Sequence, residues 1–386
     1  MSTFDPNFRA STSRSISVFG ELDDDLISRV GGEVLRLRED SSQPISVFTN
    51  SPGGTLRSLA HLYALLTARA PSGRPPRLIT VAIGSAHSAA ASLLSLGDYA
   101  ISYPKSSIHF HGVRFDAVRE VTMESASIMA AELQAHNRAT AMRLATAGAN
   151  RLAFHYAVLK RSFGKETEPS ESKRSAIECF ALRLKERLSA TGDVIVDKAL
   201  KRWRVLQEIS KEVLPKVLHS GKEGIEFEAE VLRCIIDFEV SRNSALGPGE
   251  VYQIALDYLL LRDYYLKAPR SRIVSEIGQR YPRIFLDNGV EVEQLSVEQS
   301  SGSAQKPMTE KLNGRVLPFC FFAESIWQAL QEEENPLSPK DAYWLGAVDE
   351  VYDSGLPCVR EIMERDEVKQ SQLPLAESKE AEPKAP

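Results

Sequence analysis

Residues 78–96 read LITVAIGSAHSAAASLLSL. The first six are β-branched or apolar, bounded upstream by the PSGRPP loop at 71–76. They predict a strand at Leu78–Ile83 buried on both faces. Gly84 to Ala90 is a run of small residues, and the spacing predicts a helix over Ser88–Leu96. Ser88 therefore stands at a strand-to-helix turn, where unpaired N–H groups and the helix dipole favour negative charge. A plain N-cap and a functional hydroxyl are both compatible with that position. Ser85 is the competing serine. His87 adjoins Ser88, but neighbouring helical residues face different directions, so it does not reach that hydroxyl easily.

Working outward, the same alternation recurs. Strands are expected at Ile16–Phe19, Ile45–Phe48, Tyr99–Tyr103 and Ser107–Phe110. Helices are expected over Asp23–Glu39, with Leu26, Val30, Val34 and Leu37 spaced by three and four, and over Leu56–Leu66. Strands alternating with helices predict an α/β fold with a mainly parallel sheet. After the second strand comes Asn50-Ser51-Pro52-Gly53-Gly54. Two glycines there leave main-chain N–H groups uncovered, which suits an ordinary turn as well as a phosphate or oxyanion. In Ser106–Gly112 strand alternation sends His109 and His111 to one face. They are candidates for a paired-imidazole metal site or for a general base serving Ser88.

Thr122–Arg161 predicts one long helix. The polar GKETEPSESK at 164–173 reads as a linker. Helical periods follow at Ile177–Leu188, Val194–Val213, Ile225–Val240 and Val251–Leu266, with Leu246-Gly247-Pro248-Gly249 punctuating the last two and a second linker at Ser300–Lys306. This segment, 164–306, is expected to be an inserted all-α region with a small core of its own. Strand-like residues at Val316–Phe322 and a helix at Ile326–Glu333 come next. The Lys-, Glu- and Pro-rich 366–386 is expected to be disordered, as are residues 1–15 to a lesser degree.

With 386 residues, 43% of them hydrophobic and 26% charged, the chain is globular in composition. Four cysteines without a CxxC pair argue against a disulfide framework or a cysteine-rich zinc site. The formal charge of −5 argues against nucleic-acid binding over the whole surface. No apolar run is long enough for a membrane span, and the N-terminus lacks a secretory h-region. A cytoplasmic protein without a cofactor or metal is the expectation.

The order of strand, SPGG turn, helix, strand, Gly-x-Ala-x-Ser at a helix start, strand pair and histidine resembles the ClpP proteolytic subunit of the Clp protease, within the ClpP/crotonase superfamily. The likeness includes Ser17–Asp24 (SVFGELDD) and Leu337-Ser338-Pro339-Lys340-Asp341-Ala342 followed by Leu345–Asp349. It covers about 16–160 and 320–355, within a core expected at 16–163 and 307–365. It implies the repeated ββα superhelix of that superfamily, and a serine endopeptidase in which Ser88 is the nucleophile and His111 the base. Oxyanion donors fall on the N–H groups of Gly54 and Ala89, and the orienting acid on Glu334, where the family carries an aspartate. Glu333 is the neighbouring alternative. The resemblance also implies a protein or peptide substrate, a homo-oligomeric ring and a partner AAA+ ATPase. Competing readings are another serine protease of the superfamily, and an inactive scaffold or binding relative.

Overall fold

The computed structural model describes residues 10–69, 73, 75–114, 122–162, 175–222, 271–281, 285 and 305–359, together with scattered positions between 225 and 265. Its centre is a parallel sheet. Strands β1 (Ser15–Phe19), β2 (Ile45–Ser51), β3 (Leu78–His87) and β4 (Tyr99–Ser102) lie side by side, and β6 (Glu350–Val351) closes the far edge. Strand β5 (Ser107–His109) leaves this order and pairs with the second half of β3. β3 is thus shared: Ile79–Ala82 pair with β4, and Ser85–His87 pair with β5.

The connecting helices form where periodicity and caps coincide. Helix α1 (Asp24–Asp40) begins at Asp23, whose carboxylate accepts from the Leu26 N–H at 2.8 Å. It buries Leu26, Val30, Val34 and Leu37 against β1 and β2. Helix α2 (Leu56–Thr67) is capped by Thr55 in the same way, and α3 (Ala89–Ser95) follows β3 directly. Along β3, alternation sends Ile79 and Val81 to one cluster and Ala82 and Ala86 to another.

Helix α4 (Met123–Ser162) runs 40 residues, roughly 60 Å. Its first part stands in solvent, with Met123 87% and Ile128 61% exposed, whereas Ala141, Leu144, Ala145, Ala149 and Leu152 are buried. Beyond it lie α5 (Ala176–Lys185), α6 (Ala190–Glu212), α7 (Leu214–His219) and α8 (Ser271–Arg280), then α9 (Gln305–Glu332) and α10 (Pro339–Trp344).

Two expectations change here. Val316–Phe322 is not strand-like but lies inside α9, which continues through Ile326–Glu332. A continuous apolar run carries no period of its own, and from Val316 to Gln331 α9 is buried or half-buried on every side, packed among α4, α6 and α8. Pro318 sits within the helix, and its carbonyl accepts the Trp203 indole N–H at 3.0 Å. The helical region does not keep a small core to itself, either. Phe180, Leu184, Trp203 and Leu206 belong to one apolar cluster with Leu144, Leu152, Phe322 and Trp327. Its described residues are helical, as expected. The linker at 164–173, the Leu246–Gly249 break, half of Ile225–Val240 and of Val251–Leu266, and the tail at 366–386 lie outside the described residues. So do residues 1–9, while Arg14 is held by the Asp40 carboxylate and the Leu37 carbonyl, each at 2.7 Å.

One buried ion pair joins these layers. Arg151 of α4 donates to Asp349 at 2.8 Å, to the Ser95 carbonyl at 2.9 Å and to the Gly97 carbonyl at 3.0 Å. Asp349 also accepts from the Ala100 N–H at 2.7 Å. Removing one partner leaves an uncompensated buried charge, so Arg151→Met is expected to lower unfolding free energy by about 3–5 kcal/mol in chemical denaturation. A loss below about 1 kcal/mol would contradict this account.

A second buried charge has the opposite character. Burial pushes the Glu324 carboxyl of α9 up to about 7 from 4.5, with Arg202 and Asp257 beside it. A raised folded-state value means stabilisation that is present below about 4.5 and lost as pH rises through about 7. Glu324→Gln should therefore gain on the parent by a few kcal/mol, to order of magnitude, between pH 4.5 and pH 8. Denaturation curves differing equally at both pH values would refute it.

Candidate active site

The turn from β3 to α3 holds one of the two non-glycine residues with positive φ among the described residues. Ser88 has φ 54° and ψ −124°, a combination that side-chain-bearing residues avoid. It occupies the cap position of α3, yet its hydroxyl makes no cap bond. The backbone is fixed instead by the Ser88 N–H donating to the His109 carbonyl at 2.7 Å, where β5 meets the end of β3. A serine held in an unfavourable conformation, with its hydroxyl spared from capping, differs from an ordinary N-cap.

The SPGG turn lies against it. A Cβ on Gly53 would stand 2.6 Å from the Ser88 Cβ and 2.7 Å from the His87 carbonyl, and Gly53 has φ +105°. Only glycine satisfies both conditions. Ser51 Oγ, fully buried, accepts the Gly53 N–H at 3.1 Å and holds the turn. The next N–H, that of Gly54, has no hydrogen-bond partner among the described residues, and neither does the N–H of Ala89 at the start of α3.

Ser88, Ala89, Gly54 and His111 line one cleft of about 370 Å³, together with Leu56, Phe110, Val113, Leu144 and Gln331, and with Glu21 and Arg114. The structure thus brings together four of the five residues singled out in the sequence. No hydrogen bond joins the Ser88 and His111 side chains. His111 Nδ1 lies 2.7 Å from the Gly112 carbonyl, so this nitrogen donates, and in the neutral tautomer that it selects the lone pair is on Nε2. Gly112 is held by its own N–H donating to the Gln331 carbonyl at 2.9 Å.

Glu334 is exposed, and no hydrogen bond to His111 involves it among the described residues. Glu333, the alternative, accepts from Asn335 at 2.7 Å and pairs with Lys198 at 3.7 Å. The position behind His111 is filled by a peptide carbonyl.

His87 Nε2 lies 3.0 Å from Ser107 Oγ, and its ring packs edge-on to His109 at 5.8 Å. His109 in turn lies 5.6 Å from the His111 ring. Burial first, and His111 second, hold both His87 and His109 below the usual imidazole range. Among the described residues no three His, Cys, Asp or Glu side chains are arranged to hold a metal ion. Sequence reasoning missed Gly53, Ser51 and Gln331. The glycine pair was visible, but which member approaches the serine depends on how β2 and β3 register.

A Clp protease family model matches residues 2–149. ATP-dependent Clp protease proteolytic subunit 4 of Rhodococcus jostii (strain RHA1) is 27% identical over 133 residues, 33% of this chain and 66% of the relative. The chain thus spans just under two thirds of that relative's length, and over that part it is ClpP-like. The family match includes Ser88 and His111 and ends inside α4, well before Glu334. No described helix is long and apolar enough to cross a membrane.

Gly53→Ala should displace Ser88 and lower the reactivity of its hydroxyl by roughly 10²-fold, the scale set by about 1 Å of misplacement. Gly20→Ala is the control, because Gly20 also has positive φ (+87°) but nothing within 4 Å of an added Cβ. It should cost about 1–3 kcal/mol of stability and leave Ser88 reactivity within twofold of the parent. Equal loss of reactivity in both variants would show that strain, not the collision, is responsible.

Proposed function

We propose that this ClpP-like chain is a serine endopeptidase. The observation that carries the reading is Ser88: a strained serine with an unused hydroxyl, sharing one cleft with His111 and with two unpartnered main-chain N–H groups. In this reading Ser88 Oγ attacks a substrate peptide carbonyl while His111 Nε2 takes its proton. The Gly54 and Ala89 N–H groups receive the negative charge that develops on oxygen, a role worth about 2.7–4 kcal/mol of barrier per donor. His111 then returns the proton to the leaving amine, and water releases the acyl group by the same route in reverse.

The Gly112 carbonyl fixes the imidazole tautomer, the first task of a triad acid. A neutral carbonyl stabilises imidazolium less well than a carboxylate does, so turnover below that of a full triad is expected. Glu334 would complete a triad only after the 332–336 segment moves. Assembly is part of the proposal: a homo-oligomeric ring, served by an AAA+ ATPase, in the cytoplasm. The exposed Met123 and Ile128 on the projecting part of α4 suit contact with another copy. A second reading, an inactive ClpP-like binding protein, draws on the missing carboxylate partner of His111.

A fluorophosphonate probe should label the full chain at Ser88, with labelling abolished in Ser88→Ala and reduced at least 10³-fold in His111→Ala. Glu334→Ala separates dyad from triad: a change within threefold means the carbonyl suffices, and a larger loss assigns the acid. Absence of labelling in the parent chain, with peptide hydrolysis also undetectable, would leave the binding-protein reading standing.

A further inference from the structure

Helix α6 begins with a cap residue that does not cap. Ser189 makes no side-chain bond to the first turn of its own helix. A carboxylate from 152 residues further along holds that cap residue instead. Asp341, 2% exposed, accepts the Ser189 N–H at 2.8 Å and the Ser189 hydroxyl at 2.7 Å. It accepts the Ser338 hydroxyl at 2.7 Å as well, and its own N–H donates to Ser338 Oγ at 3.1 Å. One buried carboxylate therefore joins the cap residues of two helices, Ser189 of α6 and Ser338 of α10. An anion at the N-terminus of a 23-residue helix is favoured by the dipole as well as by the bonds. Gly192 makes room, since a Cβ there would lie 3.2 Å from Asp341 Oδ1 and 2.9 Å from Leu188.

What Asp341 holds leads to the cleft. The segment 331–341 supports the histidine strand from behind. Leu337 and Ile108 exchange both main-chain hydrogen bonds, at 2.6 and 3.3 Å. Gly112, which orients His111, donates its N–H to the Gln331 carbonyl at 2.9 Å. Helix α6 grips this segment at two places, strongly through Ser189–Asp341 and weakly through Lys198–Glu333 at 3.7 Å.

We infer that Asp341 is a positioning residue through which the helical region sets the orientation of His111. The chain of contact is α6 to Asp341, Asp341 to the 331–341 segment, and that segment to β5 and Gly112. Helices lying outside the family match thus act on the site as a clamp. This inference rests on the proposed peptidase reading only for its effect on rate; the geometric coupling stands apart from it.

Two variants of the full chain test it. Asp341→Asn keeps the shape but sets an NH₂ group against two hydroxyls that both donate in the parent. Ser189→Ala removes one of the bonds from the α6 side and leaves the backbone donor, so at least one variant should fold. The first readout is the long-range ¹H–¹⁵N spectrum of the histidine side chains. His109 and His111 signals should shift in both variants, while His61 and His219 stay fixed. The second readout is fluorophosphonate labelling of Ser88, whose maximal rate should fall roughly tenfold at unchanged probe affinity. Unmoved His109 and His111 signals in a folded variant would overturn the inference whatever the labelling shows. Shifted signals in a chain that never labels would uphold the coupling and remove the peptidase reading.

Discussion

Arg151 is the residue on which the arrangement depends. Its guanidinium, 5% exposed, is surrounded by the Asp349 carboxylate and by carbonyls from the end of α3 and the loop before β4. A planar group with five donors can satisfy several acceptors at once, which an ammonium cannot do with the same geometry. Here it joins α4, the end of α3, and the turn that leads into β6. Burial pushes Asp349 towards protonation, and the guanidinium together with the Ala100 N–H opposes that. The cost of removing two charges from water is offset by four acceptors around the guanidinium and two donors on Asp349 Oδ2.

That junction lies at the far end of the short helix whose first residue follows Ser88. With the C-terminal end of α3 fixed by Arg151, and the end of β3 fixed by pairing with β5, the turn between them has little freedom. Ser88 takes up the difference as an unfavourable φ. Strain at one residue persists because the packing on both sides over-determines it. The same packing explains why Gly53 must be glycine: the β2 turn and the β3 turn approach to within a side chain's width.

The helical region is continuous with this scaffold. Trp203 reaches the Pro318 carbonyl, Phe180 packs on Phe319 and Phe322, and Ser189 meets Asp341. The apolar cluster runs from β3 through α4 and α9 into α5 and α6. A region joined in that way transmits displacement, because close-packed interiors relax poorly.

The sequence by itself determined the parallel α/β order, the helix starts at Asp23 and Leu56, and the place of Ser88 at a strand-to-helix turn, while the resemblance to a known family singled out His111, Gly54 and Ala89. The elements and the serine turn are local features: a cap, a period or a turn residue acts within a few positions along the chain. Val316–Phe322 was misread because a wholly apolar run fits a buried strand and a buried helix equally. Only tertiary packing decided between them. Which acid backs His111 was also beyond the sequence. The motif pointed to Glu334, and the fold turned that side chain outward and supplied the Gly112 carbonyl. The bond between Ser189 and Asp341 spans 152 residues. No local pattern encodes it, because it exists only once two distant helix ends have been brought together.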